Sequence, residues 1–506
     1  MQENPLTVKN VSPIPNLWKW LDRLARWFFG IVLSLWIVFI ALTLILQWLI
    51  VPRIGDFGPS IEKLAAQYWG LNVQLGSISV VSSGLTPTFE VNDFVLKDAA
   101  NQEVLRFPQV VASVSASSIV QLEFEQLSVR HPELTVRRDK GGLIYVAGLP
   151  VKDQGPTQLA DWFFSQPDFV VEKGLLRWVD EYQNRAPVEF QQVDFRIQSG
   201  LFQHLLRMDA TPPPTWGERF SVSGKFRESF LSTHASDFKN WSGQIYAQSS
   251  RIDLSAIKDI LRLPHNIKLE QGQGWARLWV DLQKSQWKAI QADIDFENVH
   301  AQVGEKAEPL ILKQFKGRFR LRQLSAQEGI EFDTQAITAN FQNGDVWPAT
   351  PIKVTYRGAT PEIPLRIQLG VQSLDLQQVQ LWTKRFQLPQ GANHFLNDSQ
   401  PQGVINALQL TWQDAWLDKP MTFEAKGQAS QISWMPVKLP GQDKNIPGLN
   451  GGFADFEFNQ DGGKLVGGIK NGQLFLNDFW EDPNFRFQSV TAQVNWKILP
   501  QGFQWM

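Results

Sequence analysis

Two patterns of apolar and polar positions divide this chain. From Trp27 to Val51 no side chain is charged, and Ser34, Thr43 and Gln47 are the polar ones among Leu, Ile, Val, Phe and Trp. At about 1.5 Å per residue a helix of that length crosses a hydrocarbon core of about 30 Å. Trp27 and Trp48 sit near its ends, where amphipathic rings favour the headgroup layer, with Trp36 between them. Pro52 is predicted to end the segment. A cleaved signal peptide would be shorter and would be followed by a small-residue A-x-A site; neither holds here.

Beyond Pro59 the spacing of Ile61, Leu64, Ala65 and Tyr68 predicts a short amphipathic helix, Ser60 to Trp69, closed by Gly70. Period-two alternation then takes over. Phe89-Val91, Leu122-Phe124, Leu127-Val129, Leu134-Val136, Val188-Phe190 and Val193-Phe195-Ile197 each put apolar side chains on one face. The same holds for Ala276-Leu278-Val280-Leu282, Ile290-Ala292-Ile294-Phe296, Phe319-Leu321, Ile337-Ala339-Phe341 and Ile352-Val354-Tyr356. It continues in Leu365-Ile367-Leu369-Val371, Leu408-Leu410-Trp412, Ala454-Phe456-Phe458 and Val490-Ala492-Val494-Trp496-Ile498. Gln, Glu, Asp, Lys, Arg and Ser fill the alternate positions, and Gly, Asn, Asp and Pro punctuate the runs. These are one-sided antiparallel strands.

Few helices interrupt them. Thr157 to Phe164 is one candidate. Two others look alike, opening at Asp253-Leu254 and Asp375-Leu376 and closing at Leu263-Pro264 and Leu388-Pro389, each followed by a polar segment with a glycine (Gly274, Gly403) and an alternating strand. Phe315-Lys316-Gly317-Arg318-Phe319 is echoed by Leu449-Asn450-Gly451-Gly452-Phe453, and Asp345-Val346-Trp347-Pro348 by Asp478-Phe479-Trp480. The offsets describe a degenerate repeat of roughly 125–135 residues.

One-sided strands must hide their apolar faces. Stacked sandwiches would pair each face with another sheet. An outer-membrane barrel would turn its apolar residues outward beneath an aromatic girdle, which the charge-rich outer positions do not form. The third solution is one long sheet curled into a trough with an apolar hollow, which lipid chains would fill. On the order of 25 strands at ~4.8 Å spacing would make such a sheet about 120 Å long. The candidate lining is Ala276, Leu278, Val280 and Leu282; Ile290, Ala292, Ile294 and Phe296; Leu408 and Leu410; and Val490 and Val494. The chain stops at Met506 directly after a strand, an open edge that is an aggregation hazard and the expected mark of a truncated chain.

Charge sets the direction of the anchor. Lys9, Lys19, Arg23 and Arg26 precede the span against Glu3 and Asp22, whereas Arg53, Asp56, Glu62 and Lys63 balance after it. The positive-inside rule then keeps residues 1–26 cytoplasmic, makes 27–51 the transmembrane helix and exports the rest. The exported part divides into a β-rich region, 52–250, and the repeats, 251–506. In a bacterium this is a single-pass inner-membrane protein with a periplasmic body. Among 506 residues there is no cysteine, so thiol chemistry and disulfide scaffolds are excluded. A net charge of −2 with interspersed signs gives no footprint for nucleic acid. Trp (21) and Phe (34) far outnumber Tyr (5), a composition suited to strands and large apolar surfaces.

No catalytic constellation stands out. His131, His204, His234, His265, His300 and His394 are scattered beyond metal-ligand spacing. Gly272-Gln273-Gly274 lacks the third glycine of a dinucleotide loop and precedes a strand. Asp293 and Asp295 belong to a solvated strand face, Asp461-Gly462-Gly463-Lys464 to a hairpin turn, and no Gly-x-Ser-x-Gly elbow occurs. The chain reads as a non-enzyme without metal or cofactor.

An N-terminal anchor, the helix Ser60 to Trp69, Ser83-Gly84-Leu85-Thr86-Pro87-Thr88-Phe89 leading to Val95-Leu96-Lys97-Asp98, Leu127 to Val136, Gly141-Gly142-Leu143 and the later Asp-Leu…Leu-Pro units together resemble the AsmA-like family, YhdP type. The resemblance covers nearly the whole chain, in layout and loose motifs. It implies a mainly β fold, one transmembrane helix followed by a long curled antiparallel β-groove related to bridge-like lipid-transfer proteins. It further implies phospholipid as cargo, transport toward the outer membrane, support of that membrane's barrier, and an outer-membrane or envelope protein as candidate partner at the distal end. The alternative from the residues alone is an anchored structural or assembly factor with its faces sealed in closed β-sandwiches and no lipid cargo.

Overall fold

The apolar N-terminal stretch is helical throughout. Helix α1 (Pro15–Ile45) passes into a π-helical turn (Leu46–Ile50), a 3-10 stretch (Val51–Phe57) and helix α2 (Gly58–Trp69). The stop predicted at Pro52 falls one residue short of a break in the helical path. Proline lacks an N–H that the first turn of a helix does not use, and Pro52 sits at the start of the 3-10 segment. The backbone leaves helical geometry one residue later, at Arg53 (φ −120°, ψ 19°). Among the described residues this path is the one helix long and apolar enough to cross a membrane, and 6% of its most apolar window is buried. Trp27, Trp36 and Trp48 are all exposed on it. The Thr43 hydroxyl donates to the Phe39 carbonyl (2.9 Å), so this polar group is satisfied within the helix.

The structure, a computed structural model, describes residues 15–69, 72–82, 86–97, 103–115, 118, 123–146, 149–150, 164–200, 202–228, 240–261, 267–304, 308–325, 329–383, 390–415, 420–438, 445–476, 484–499 and 502–505. It divides into two units, Met1–Pro187 with Arg196–Ser199, and Val188–Phe195 with Gly200–Met506.

In the first unit the strands are β1 (Asn72–Gln74), β2 (Ile78–Ser82), β3 (Thr88–Lys97), β4 (Glu103–Ser113), β5 (Gln126–Arg130), β6 (Glu133–Arg138), β7 (Ile144–Val146), β8 (Leu149–Pro150) and β9 (Asp168–Asp180). Both β1 and β2 pair with β3, and β3–β4–β5 continue antiparallel. The antiparallel expectation then fails at one place: β5 and β6 both run parallel to β9. Parallel partners need a crossover connection instead of a tight hairpin, and the chain from Pro150 to Asp168 is long enough to supply one. Among the described residues the predicted strand Leu122-Phe124 is also not found. Phe124 lies in a loop and donates its N–H to the Gln166 side-chain oxygen (2.9 Å), while Leu122 is outside the described residues. The predicted helix Thr157 to Phe164 falls almost wholly outside them too. Helix α2 docks through Ala65 against Val73 and Leu96, with Leu75, Phe94 and Leu105 around them, and Glu62 accepts the Leu75 N–H (2.7 Å). Ile61, which the spacing put on the same face, is exposed.

Strand β10 (Val188–Ser199) spans the division. The second unit then runs through β11 (Gln203–Thr211), β12 (Phe220–Arg227), β13 (Ser242–Asp253), β14 (Ile267–Gln283), β15 (Gln286–Val303), β16 (Leu310–Gln323), β17 (Ile330–Phe341), β18 (Val346–Trp347), β19 (Ile352–Arg357) and β20 (Arg366–Asp375). It ends with β21 (Gln402–Gln413), β22 (Thr422–Trp434), β23 (Gly448–Asn459), β24 (Gly462–Phe475), β25 (Asn484–Leu499) and β26 (Gly502–Trp505). From β11 to β26 each strand pairs antiparallel with the next, except that β17 takes both β18 and β19. Among the described residues no ladder joins β26 back to β11, so this sheet is open, and none of these strands is left over to build a second sheet across from it.

Helix α3 (Leu254–Leu261) joins β13 to β14, and α4 (Leu376–Thr383) lies between β20 and β21. Both therefore interrupt a pair of neighbouring antiparallel strands, and each opens on an aspartate: Asp253 accepts the Ser255 N–H (3.0 Å) and Asp375 the Gln377 N–H (2.9 Å). The second insertion departs from the first after Pro389. In place of a polar segment there is a further helix, α5 (Gln390–Asp398). The echo at Asp478-Phe479-Trp480 lies outside the described residues.

Candidate functional site

Residues paired across antiparallel strands point to the same side of a sheet, so register converts alternation into rows. One row of the second unit runs Leu206, Gly224, Ile245, Val280, Ile290, Leu321, Phe332, Val354, Leu369, Leu410, Ala425, Phe458, Gly463, Trp496, Trp505. It crosses fifteen strands without one polar side chain. The row one residue along, on the opposite face, reads Arg207, Ser223, Tyr246, Trp279, Gln291, Arg320, Asp333, Lys353, Gly370, Gln409, Lys426, Glu457, Lys464, Asn495. The sheet thus has an apolar and a polar face along its whole described length.

The two glycines in the apolar row do not interrupt it. An added Cβ at Gly224 would lie 2.4 Å from the Phe226 ring, and one at Gly463 2.5 Å from the Trp496 ring. Aromatic rings two or more residues away fold over the bare backbone and keep the surface hydrocarbon. Only glycine leaves them room.

The register also places the lining candidates. Val280, Ile290 and Leu410 share the row just given. Leu278 and Ala292 lie in the next one, between Ala247 and Phe319, and Leu408 follows Ile352 and Val371. Ala276 pairs with Ile294, Val494 with Leu465 and Val490 with Ile469, whereas Leu282 faces Trp287 beyond an irregularity in the register. Phe296 is different. Opposite Gly274 and Phe315, it is buried in a protein core under α3 with Leu254, Val299, Leu312, Ala339, Phe341 and Trp347. Ala276 and Ile294 pack against the border of that core. Phe319, Leu321, Phe332, Phe458 and Trp496 belong to the open rows but were not among the candidates. The same period-two signal carries them; only the register shows that they align.

Covering is uneven along each strand. Toward the helix-bearing ends, Leu312, Ala339, Phe341 and Trp347 are buried; toward the hairpin ends, Ile330, Tyr356, Leu410 and Trp412 are exposed. The exposed side chains are large and apolar, the kind of surface that marks an interaction site when contiguous.

On the polar face, ion pairs cross the strands. Arg318 makes a bidentate pair with Asp293 (2.6 and 2.7 Å), Arg320 reaches Asp333 (3.0 Å), and Glu331 takes both Arg322 (2.6 Å) and Lys353 (2.7 Å). Burial works against ionisation of Glu331, but the hydrogen bonds and charges of Lys353 and Arg322 outweigh it and hold the carboxyl below its ordinary range. Asp293 is thus a structural ligand of arginine. Among the described residues no group of His, Asp and Glu could hold a metal ion.

Comparison with known proteins agrees with this architecture. The model of the family described as YhdP protein matches residues 1–505. Neither the curated proteins nor the solved structures include a match to the chain. The chain belongs to the YhdP family.

Proposed function

From that membership, we propose that the protein is a membrane-anchored, non-catalytic conduit in which phospholipid acyl chains move along the apolar face of the open sheet. One observation carries the reading: an unbroken apolar row spans fifteen strands, and its members Leu410 and Trp505 are exposed, with no second sheet facing them among the described residues. A partly exposed hydrocarbon strip of that length is unfavourable in water and favourable against lipid chains. The excess of Lys and Arg before Trp27 supports a cytoplasmic N-terminus, an inner-membrane anchor and a periplasmic body carrying lipid toward the outer membrane.

The test is lipid capture. A photocrosslinking residue at Val280 in the full chain should trap phospholipid in cells, and Leu278→Asp should abolish that capture while the protein stays folded. Absence of lipid at Val280 in the folded protein would sink the conduit. Orientation is tested separately: a reporter fused after Ala66 should be periplasmic and one fused before Trp18 cytoplasmic.

A further inference from the structure

Three aromatic rings on the apolar face lie down over glycines instead of standing up from their strands. Phe226 lies over Gly224 on its own strand, Phe456 over its register partner Gly427 on β22, and Trp496 over its register partner Gly463 on β24. Were each glycine an alanine, its Cβ would lie 2.4 Å from Phe226 Cε2, 2.9 Å from Phe456 Cζ and 2.5 Å from Trp496 Cζ2. Carbon atoms pack at about 3.5–4.0 Å, so none of these rings could keep its place.

The backbone does not ask for these glycines. All three lie outside the left-handed region, so their conformation is open to other residues. Glycine inside a strand weakens it, having no side chain to pack and more freedom to lose. What it supplies here is room for a ring. A side chain in a strand otherwise stands roughly perpendicular to the sheet, so a ring displaced from its glycine rises from the floor of the face. Phe456 shares its row with Gly427, Leu465 and Val494, and the next row toward the helix-bearing ends is Ala429, Ala454, Gly467 and Ala492. A raised Phe456 would stand above both rows.

Resting on the conduit reading, we infer that Gly224, Gly427 and Gly463 set the height of the conduit's floor. They let Phe226, Phe456 and Trp496 lie flat, and acyl chains pass along the rows because these rings are down. The glycines are positioning residues that act through the rings above them. Raising one ring interrupts passage at that strand and leaves the face occupied on the anchor side of it.

Gly427→Ala is the cleanest test, because the clash falls on the far end of the Phe456 ring, whereas Gly463→Ala also meets Phe458 Cβ at 2.5 Å. Leu410 on β21 and Trp505 on β26 belong to one apolar row and flank this place. A photocrosslinking residue is put at Leu410 or at Trp505 of the full chain in cells, and the trapped phospholipid is measured. With Gly427→Ala, capture at Leu410 should persist and capture at Trp505 should fall several-fold. Adding Phe456→Leu, which leaves no ring to raise, should restore it. Undiminished capture at Trp505 in the folded Gly427→Ala protein, or a loss that Phe456→Leu does not restore, overturns the inference. The pairs would then be rings that steady weak strand positions and nothing more. Gly224→Ala, whose nearest atoms are all in the Phe226 ring, repeats the test between Leu206 and Val280 and decides it if Gly427→Ala does not fold. No lipid at either position with all three glycines in place is a different result, and it removes the conduit itself.

Discussion

Similar rows of apolar side chains end up in different circumstances in the two units. In the first, Phe89, Ala112, Leu127 and Phe169 stand in register across β3, β4, β5 and β9, and all four are below a tenth exposed. In the second, Leu278, Leu410 and Val490 lie on the apolar face of their strands, in different rows, and are more than a third exposed. Alternation says which face of a strand is apolar. It does not say what covers that face, because the cover comes from segments distant in sequence. The difference leaves this first row packed against protein and the second unit with an apolar face that is covered in some places and open in others.

The largest effect expected from this contrast comes from placing a charge on each face. Val129 is 2% exposed in the first unit, and Val129→Asp would strand a carboxylate among side chains. A loss of about 3 kcal/mol or more is expected, with a sharply lower melting temperature. Leu278→Asp, at 36% exposure, leaves the carboxylate access to water and should cost about 1 kcal/mol or less. Equal losses in thermal unfolding would mean that the second face is as sealed as the first.

A smaller effect distinguishes the two faces of the open sheet. Cross-strand ion pairs on the polar face add to the backbone ladders that hold the strands in register, and Glu331 is the most buried carboxylate among them. Glu331→Gln should cost about 2 kcal/mol at neutral pH, the range for hydrogen bonds to charged groups. Since the folded-state ionisation of Glu331 lies below its unfolded one, its contribution is complete above the unfolded value of about 4.3 and disappears as pH falls through the lower folded value. The stability difference between wild type and Glu331→Gln should therefore narrow in acid. Urea titrations at neutral pH and below pH 4 measure it, and a constant difference would show that the carboxylate's charge is irrelevant.

Much of the second unit was legible because period-two alternation reports strand and face together. The strands from Ala276 to Phe296 pair as their patterns require, Leu278 with Ala292 and Val280 with Ile290. What the pattern could not convey was third-party cover. Phe296 ends the same alternating run as Ile290, yet α3 closes over one and not the other. Parallel pairing of β9 was equally hidden, since its residues alternate as an antiparallel strand's would. Pro52 located the end of the apolar helix to within a residue: it occupies the first turn of the 3-10 segment, where its missing N–H is not used, and the helical path breaks at Arg53.

The finest comparison is between the two helix insertions, whose resemblance was read from Asp-Leu openings. Each aspartate caps a helix by accepting a backbone N–H two residues on, and Asp→Ala at such a position costs about 1 kcal/mol. The two caps are not identical. Asp253 is held well in its ionised form, first by the Ser255 hydroxyl, against the opposing effect of burial, and then by the Ser255 N–H and the Gln273 amide. Its second oxygen accepts from Gln273 Nε2 (3.1 Å), its register partner on β14, so the cap also ties the helix to the neighbouring strand. Asp375 lies opposite Val404, which offers no such group. Asp253→Ala should therefore destabilise the protein more than Asp375→Ala, by a few tenths of a kcal/mol up to about 1 kcal/mol. Asp253→Asn keeps an acceptor for Ser255 and should recover most of the loss. Denaturant midpoints for the three variants decide the matter: equal losses at the two aspartates would reduce both to simple caps and leave the Gln273 contact without energetic weight.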